Sequence, residues 1–243
     1  MKNTKRLLPC LLPIRSVVFL LVFMAAAFIS GKNVSGFSCW WSIIASVVNL
    51  FMIALLILIT KKQGSSYWKL INYEKGKTTG KQIIIVSAVI LVIGMAGMYL
   101  AGYICYGKII PHAAAMMMAP IPLWLAAVNI VVLPVSTAFA EDGLYLGCGV
   151  NQISNKYAAV IVPALFYALQ HSFIPTMFDA RYMVYRFLSF LPLTVILCWY
   201  YYRKRNPLPI MVGHAVIDLA TAMQILATSA VPGLYEKMII MAG

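Results

Sequence analysis

The sequence predicts an all-α protein, a polytopic transmembrane helical bundle of seven or eight spans. Hydrophobic residues make up 63% of the 243 and charged residues only 10%, with a mean hydropathy of +0.89. A soluble domain averages about 45–50% apolar and about 25% charged residues. Apolar windows of about 20 residues, enough to cross roughly 30 Å of hydrocarbon, recur along the whole chain. None of them shows sustained period-2 alternation, so the backbone must satisfy its hydrogen bonds within helices and not in a barrel.

The spans are expected near 16–30, 40–60, 82–105, 121–150, 157–175, 184–201 and 207–228, with 229–243 as a short eighth. The first follows "MKNTKRLLPCLLPIR", whose basic start and the small residues after the apolar run also fit a signal peptide. An uncleaved helix is the preferred reading, and the chemistry below is expected not to depend on it. Between the second and third spans lies "KKQGSSYWKLINYEKGKTTGK", a basic loop over 61–81 whose Trp68 and tyrosines suit an interfacial segment. Within the third span Gly97, Ala101 and Cys105 are spaced by four, a small-residue face that allows close helix approach. The organisation expected is one integrated membrane domain: N-terminal helices over 1–119 and a helical core over 120–243.

Lys and Arg in short loops stay on the cytoplasmic side, and this orients the bundle. With the N-terminus inside, Lys2, Lys5, Arg6, Arg15, six loop lysines, Lys156 and Arg203–Arg205 give 14 cytoplasmic basic residues. Lys32, Lys108, Arg181, Arg186 and Lys237 give 5 on the other side. The same bias accounts for the net charge of +13 without a nucleic-acid partner; the basic face suits anionic lipid. The localisation expected is the plasma membrane, with the N-terminus cytoplasmic. The five cysteines form no C-x-x-C pair, so free thiols are expected in place of a disulfide framework or zinc knuckle.

The informative residues are the scarce ionisable ones, six acids and three histidines. Five of these nine fall in three apolar-embedded patches: "EDGLYLG" with Glu141 and Asp142, "LFYALQHSF" with His171, and "GHAVIDLA" with His214 and Asp218. Such groups are costly in a membrane and normally face a protein interior or a wet cavity. His214 and Asp218 are four apart and share a helical face, as do Tyr167 and His171, and Glu141 and Tyr145. Carboxylates and imidazoles converging from three helices can activate water and stabilise an oxyanion, or can hold a divalent metal. Counted along straight helices, Glu141, His171 and His214 lie about 13, 21 and 10 Å from the cytoplasmic helix ends, so tilt or shifted boundaries must bring them level. Glu74 reads as a solvated loop charge, Asp179 as a loop partner of Arg181, His112 as a loop residue, and Met116–Met118 as packing bulk.

These patches resemble the three motifs of the CPBP intramembrane proteases, the family of the type II CAAX prenyl endopeptidases and the bacterial Abi-type proteins. The family's E-E-x-x-x-R followed by Gly is similar to Glu141, Asp142 and Gly147; its F-x-x-x-H to Tyr167 and His171; its H-x-x-x-N/D to His214 and Asp218. The resemblance covers roughly 120–228 and implies an eight-helix bundle opening toward the cytosol. It implies an intramembrane endopeptidase in which Glu141 activates water and later returns a proton. His171 would position that water, and His214 and Asp218 would face the oxyanion, with Asp142, Tyr167 and Tyr145 in support.

Three positions depart from the family pattern: Leu146 stands where the arginine is usual, Asp142 where Glu is, and Tyr167 where Phe is. The resemblance leaves the cofactor open. A metal-free route is preferred, while Glu141, His171, His214 and Asp218 form the ligand set if a divalent metal such as zinc is used. Expected partners are membrane lipid and a membrane-bound peptide or protein substrate, with prenylated CAAX-like chains as the class the resemblance implies. The competing class is a non-catalytic immunity or scaffolding protein, or a small transporter, on the same fold. Leu146 favours it; retention of Glu141, His171 and His214 opposes it.

Overall fold

In a computed structural model, residues 8–242 are described. Lys2, Lys5 and Arg6, part of the charge bias above, lie outside the described residues. Among the described residues eight α-helices longer than two turns carry the fold: α1 Ile14–Ser30, α2 Trp41–Lys62, α3 Gly80–Tyr106, α4 Leu123–Asp142, α5 Ala158–His171, α6 Ala180–Lys204, α7 Leu208–Ala230 and α8 Leu234–Ala242. Short turns cover Leu8–Leu11, Val34–Trp40, Tyr67–Leu70 and His112–Met118, and α4 runs on into a π-helical stretch, Gly143–Val150. Among the described residues there is no strand.

The span count differs from the expected seven or eight. Among the described residues six segments are long and apolar enough to cross a membrane: Leu8–Ser30, Val34–Lys62, Gly80–Tyr106, Leu123–Val150, Ala180–Lys204 and Leu208–Ala230. The apolar run read as a span at 157–175 yields α5, of only 14 residues. At 1.5 Å per residue that is about 21 Å, short of the hydrocarbon thickness. The helix stops at His171, and Ser172–Asp179 form an irregular turn. Non-helical backbone at membrane depth needs protein partners, and this turn has them: Arg186 Nη2 donates to the Ile174 carbonyl (3.1 Å) and Ser172 Oγ donates to the Met183 carbonyl (2.8 Å). The segment at 229–243 gives α8, nine residues long.

The two most extensive helix pairings are α4 with α7 and α5 with α6; α3 closes the bundle against α6 and α7, and α2 lies along α4. The small-residue face of α3 is used as predicted. A Cβ on Gly97 would overlap the Ser189 carbonyl of α6, so only glycine permits that approach, and Ala101 is fully buried. At one end of the bundle three basic segments are tied together. Asn151 Nδ2 donates to the Leu70 carbonyl (2.7 Å) and to Tyr201 Oη (2.6 Å), and Lys77 Nζ donates to the Arg205 carbonyl (3.3 Å). The loop at 61–81, the turn after 150 and the end of α6 therefore share one face, as the charge bias requires.

Smaller expectations hold with refinements. Glu74 is exposed and bonds Lys77 at 3.0 Å. Asp179 caps α6 by accepting from the backbone N–H of Arg181 (2.9 Å), while the Arg181 guanidinium lies over Tyr106 instead. His112 is exposed at a short turn, and Met117 is buried. All five cysteines are free, though only Cys148 and Cys198 are fully buried. Tyr67 does not lie flat along the interface: it is buried, and its hydroxyl donates to the Phe139 carbonyl at 2.6 Å. Burial pushes its phenol pKa up, which keeps that donor protonated.

Candidate active site

The site begins where α4 changes pitch. Its apolar run ends in Glu141 and Asp142, after which the chain widens into the π-helical stretch that so often marks functional positions. All eight residues of that stretch are buried. Gly143 and Gly147 admit the Tyr67 ring and the Leu70 side chain against the backbone: a Cβ at either position would come within 2.7 Å of them. The site end of α4 is thereby wedged by the short Tyr67–Leu70 helix. Neighbouring residues on a helix point in different directions, and the two adjacent carboxylates duly serve different partners.

Glu141 Oε1 accepts from Arg15 Nη2 at 2.7 Å. Its Oε2 has no hydrogen-bond partner and stands 3.9 Å from His171 Nε2 and 3.8 Å from His214 Nε2. Asp142 Oδ1 accepts from Tyr167 Oη at 3.0 Å, and the same hydroxyl lies 3.0 Å from His214 Nδ1. A phenol carries one proton. With it given to Asp142, His214 must donate Nδ1–H to the phenol oxygen, which turns Nε2 toward Glu141. Asp218 Oδ2 lies 3.7 Å from that same Nε2, one turn along α7. His171, the last residue of α5, stacks on Phe190 of α6 with ring centroids 3.5 Å apart.

The helices thus unite all four sequence-predicted catalytic residues, Glu141, His171, His214 and Asp218, around one point, and unequal depths counted along the chain do not separate them. Glu141, Asp142, His171 and His214 are each at most 7% exposed. Tyr145 does not reach Glu141. Its hydroxyl donates to Gln170 Oε1 (3.0 Å), and its ring stacks on Tyr167 at 4.3 Å. Leu146 is fully buried in apolar packing. The separations of 3.6 to 3.9 Å between carboxylate oxygens and imidazole nitrogens exceed a hydrogen bond and suit groups bridged by a small third species. Among the described residues, no three His, Cys, Asp or Glu side chains are grouped so as to hold a metal ion. Arg15 takes one oxygen of Glu141 and Tyr167 takes Nδ1 of His214, which leaves Glu141 Oε2 and the Nε2 atoms of both histidines as the free donors.

Three participants escaped the sequence reading. Arg15, counted there as a loop charge, is fully buried; Nε donates to Gln170 Oε1 (2.5 Å) and Nη1 to Asn49 Oδ1 (2.7 Å). Gln170 and Asn49 are fully buried with it. The available signal was their polarity: Arg15 inside "LLPIRSVVFLLVF", Asn49 inside "SVVNLFMIALLIL" and Gln170 beside His171 are each isolated in apolar sequence. The expectation that the site is independent of the first helix is therefore overturned, because α1 delivers Arg15 to it. Arg186 is likewise buried, so the basic bias becomes 14 − 1 = 13 against 5 − 1 = 4, and its direction stands.

An apolar helical bundle enclosing carboxylates and imidazoles within reach of one another defines an integral membrane protein with an acid–base site. Residues 122–220 match the family model described as Type II CAAX prenyl endopeptidase Rce1-like, which supports the resemblance to the CPBP/CAAX intramembrane proteases. The matched segment contains Glu141 through Asp218 and leaves out Arg15 and Asn49. No curated protein and no solved structure shows significant similarity to the chain.

Proposed function

We propose that the protein is an intramembrane endopeptidase that hydrolyses peptide bonds of membrane-associated chains, prenylated CAAX-like substrates among them, with water activated by Glu141. One observation carries this reading: Glu141 Oε2 is free of protein hydrogen bonds and nearly equidistant from the Nε2 atoms of two histidines. A water placed there accepts or donates to both imidazoles and gives its proton to Oε2 as its oxygen attacks the substrate carbonyl. His214, with Nδ1–H anchored on Tyr167, offers Nε2–H as imidazolium to the developing oxyanion. Glu141 then passes its proton to the amide nitrogen, the C–N bond breaks, and the carboxylic acid so formed gives the second water proton to the amine, so that a carboxylate and an ammonium leave.

Asp218, as a carboxylate, accepts hydrogen bonds and does not donate them. Its place beside His214 Nε2 gives it the task of orienting and balancing that ring. His171 holds the water's second side, its ring fixed against Phe190. The proposed orientation is N-terminus inward in the plasma membrane, which opens the tied basic end to the cytosol and to anionic lipid.

The test is turnover in proteoliposomes of internally quenched peptides, farnesylated with a CAAX end or unprenylated and hydrophobic. The parent is compared with Glu141→Gln, His171→Ala and His214→Ala, with and without a chelator. Cleavage by the parent, its loss in all three variants and indifference to chelator are expected. Equal turnover in all four proteins rejects the site. Loss of parental turnover on chelation rejects the metal-free route, and a parent that cleaves no peptide supports the non-catalytic alternative that Leu146 favours.

A further inference from the structure

We infer that Arg15 is a positioning residue for catalysis: the α1 guanidinium locks one oxygen of Glu141 so that the other faces the two imidazoles. The inference rests on the proposed role of Glu141 and assigns a task to a residue outside the matched family segment. A buried arginine is expensive unless paired, and it normally marks a functional or structural demand. Here the demand is visible in the bonding. All three nitrogens of the guanidinium donate, to three different helices: Nε to Gln170 of α5, Nη1 to Asn49 of α2, Nη2 to Glu141 of α4.

Each neighbour is itself held. Asn49 Nδ2 donates to Thr137 Oγ1 (2.9 Å) and Ser136 Oγ (3.3 Å), and Gln170 Oε1 also accepts from Tyr145 Oη (3.0 Å). The Phe19 ring lies 5.2 Å from the guanidinium carbon. The planar fork therefore has one orientation, and a 2.7 Å charge-assisted bond transmits it to Glu141 Oε1. With Oε1 fixed, rotation of the carboxylate is blocked, and Oε2 is left facing His171 and His214. Arg15 supplies the only cation paired with these carboxylates among the described residues, apart from the histidines themselves.

Turnover of the farnesylated quenched peptide tests this. Arg15→Met is expected to lower kcat by about 100-fold, the scale of a misplaced reacting group, with KM within about threefold. Arg15→Lys keeps the charge but loses the fork, and is expected to lower kcat about tenfold. Methylguanidinium is expected to restore Arg15→Ala at least in part and to leave Glu141→Gln inactive. Arg181→Met, removing an exposed cation far from these bonds, should match the parent. Arg15→Met turnover within about twofold of the parent, with Glu141→Gln dead, overturns the inference and leaves the proposed function standing. Unchanged turnover in Glu141→Gln sinks the proposed function and this inference together.

A readout without substrate guards against simple misfolding. In detergent, Arg15→Met should lower Tm by roughly 10 °C, because it strands the Glu141 charge. In the Glu141→Gln background the same change should cost much less. Additive Tm losses would show the pair to be uncoupled and would overturn the inference whatever the kinetics.

Discussion

Among the described residues two arginines lie buried in this bundle, Arg15 and Arg186, and their surroundings differ in kind. Arg15 meets a carboxylate and two side-chain amide carbonyls, from three helices. Arg186 meets a backbone carbonyl, that of Ile174, and the Phe190 ring 5.0 Å away; its Nε has no partner, and among the described residues no carboxylate pairs with it. By sequence both looked like topogenic loop charges. In the fold one holds the Glu141 carboxylate, and the other holds the irregular turn that ends α5 and the aromatic ring on which His171 stacks. A buried cation takes its meaning from what the facing helices present to it.

That contrast can be broken or sharpened by experiment, in descending order of effect. Glu141→Gln should remove at least about 1000-fold of kcat, within the range for a general base. Measured beside Arg15→Met, it asks whether the two act as one unit, in which case the double variant is little worse than Glu141→Gln alone. Tyr167→Phe deletes the hydroxyl that joins Asp142 to His214, and a loss of roughly 1–2 kcal/mol, near tenfold in kcat, is expected. Chromatographic behaviour should be unchanged, since the ring still stacks on Tyr145.

On the Arg186 side the signs are meant to differ. Arg186→Met should lower Tm by several degrees while kcat falls less than about fivefold, because its one hydrogen bond supports a turn and it reaches His171 only through the Phe190 ring. A kcat loss matching that of Arg15→Met would erase the distinction drawn here. Asp179→Ala, which removes the α6 N-cap, is expected to cost about 1 kcal/mol, or 2–4 °C in Tm, with turnover intact.

Much of the candidate site was legible before any fold. Glu141, His171, His214 and Asp218 stand out because an ionisable group in apolar sequence needs a reason, and i, i+4 spacing places His214 and Asp218 on one face. Tyr167 was legible as a residue sharing a helical face with His171 and as a family departure. That its hydroxyl holds Asp142, next to the position where Leu146 replaces the family's arginine, depends on α5 and α4 lying side by side. Arg15 was misread because topogenic and site arginines look alike in sequence: each sits at the edge of an apolar run. The run at 157–175 read as a full span for a related reason, since hydropathy follows burial in protein as readily as burial in lipid, and α5, of 14 residues, is half sheltered by its neighbours.

The sequence by itself determined that the chain is a membrane bundle of helices, which end of it is basic, and which acids and histidines must avoid lipid. These follow from composition, periodicity and the cost of charge in hydrocarbon, all of which are local. Only the tertiary structure decided that α1 and α2 reach into the site, that Glu141 is clamped at one oxygen and free at the other, and that α5 stops inside the bundle. Those features arise from contacts between different helices, some of them far apart in the chain, such as Arg15 with Glu141 and with Gln170, and no local pattern encodes which helix will face which.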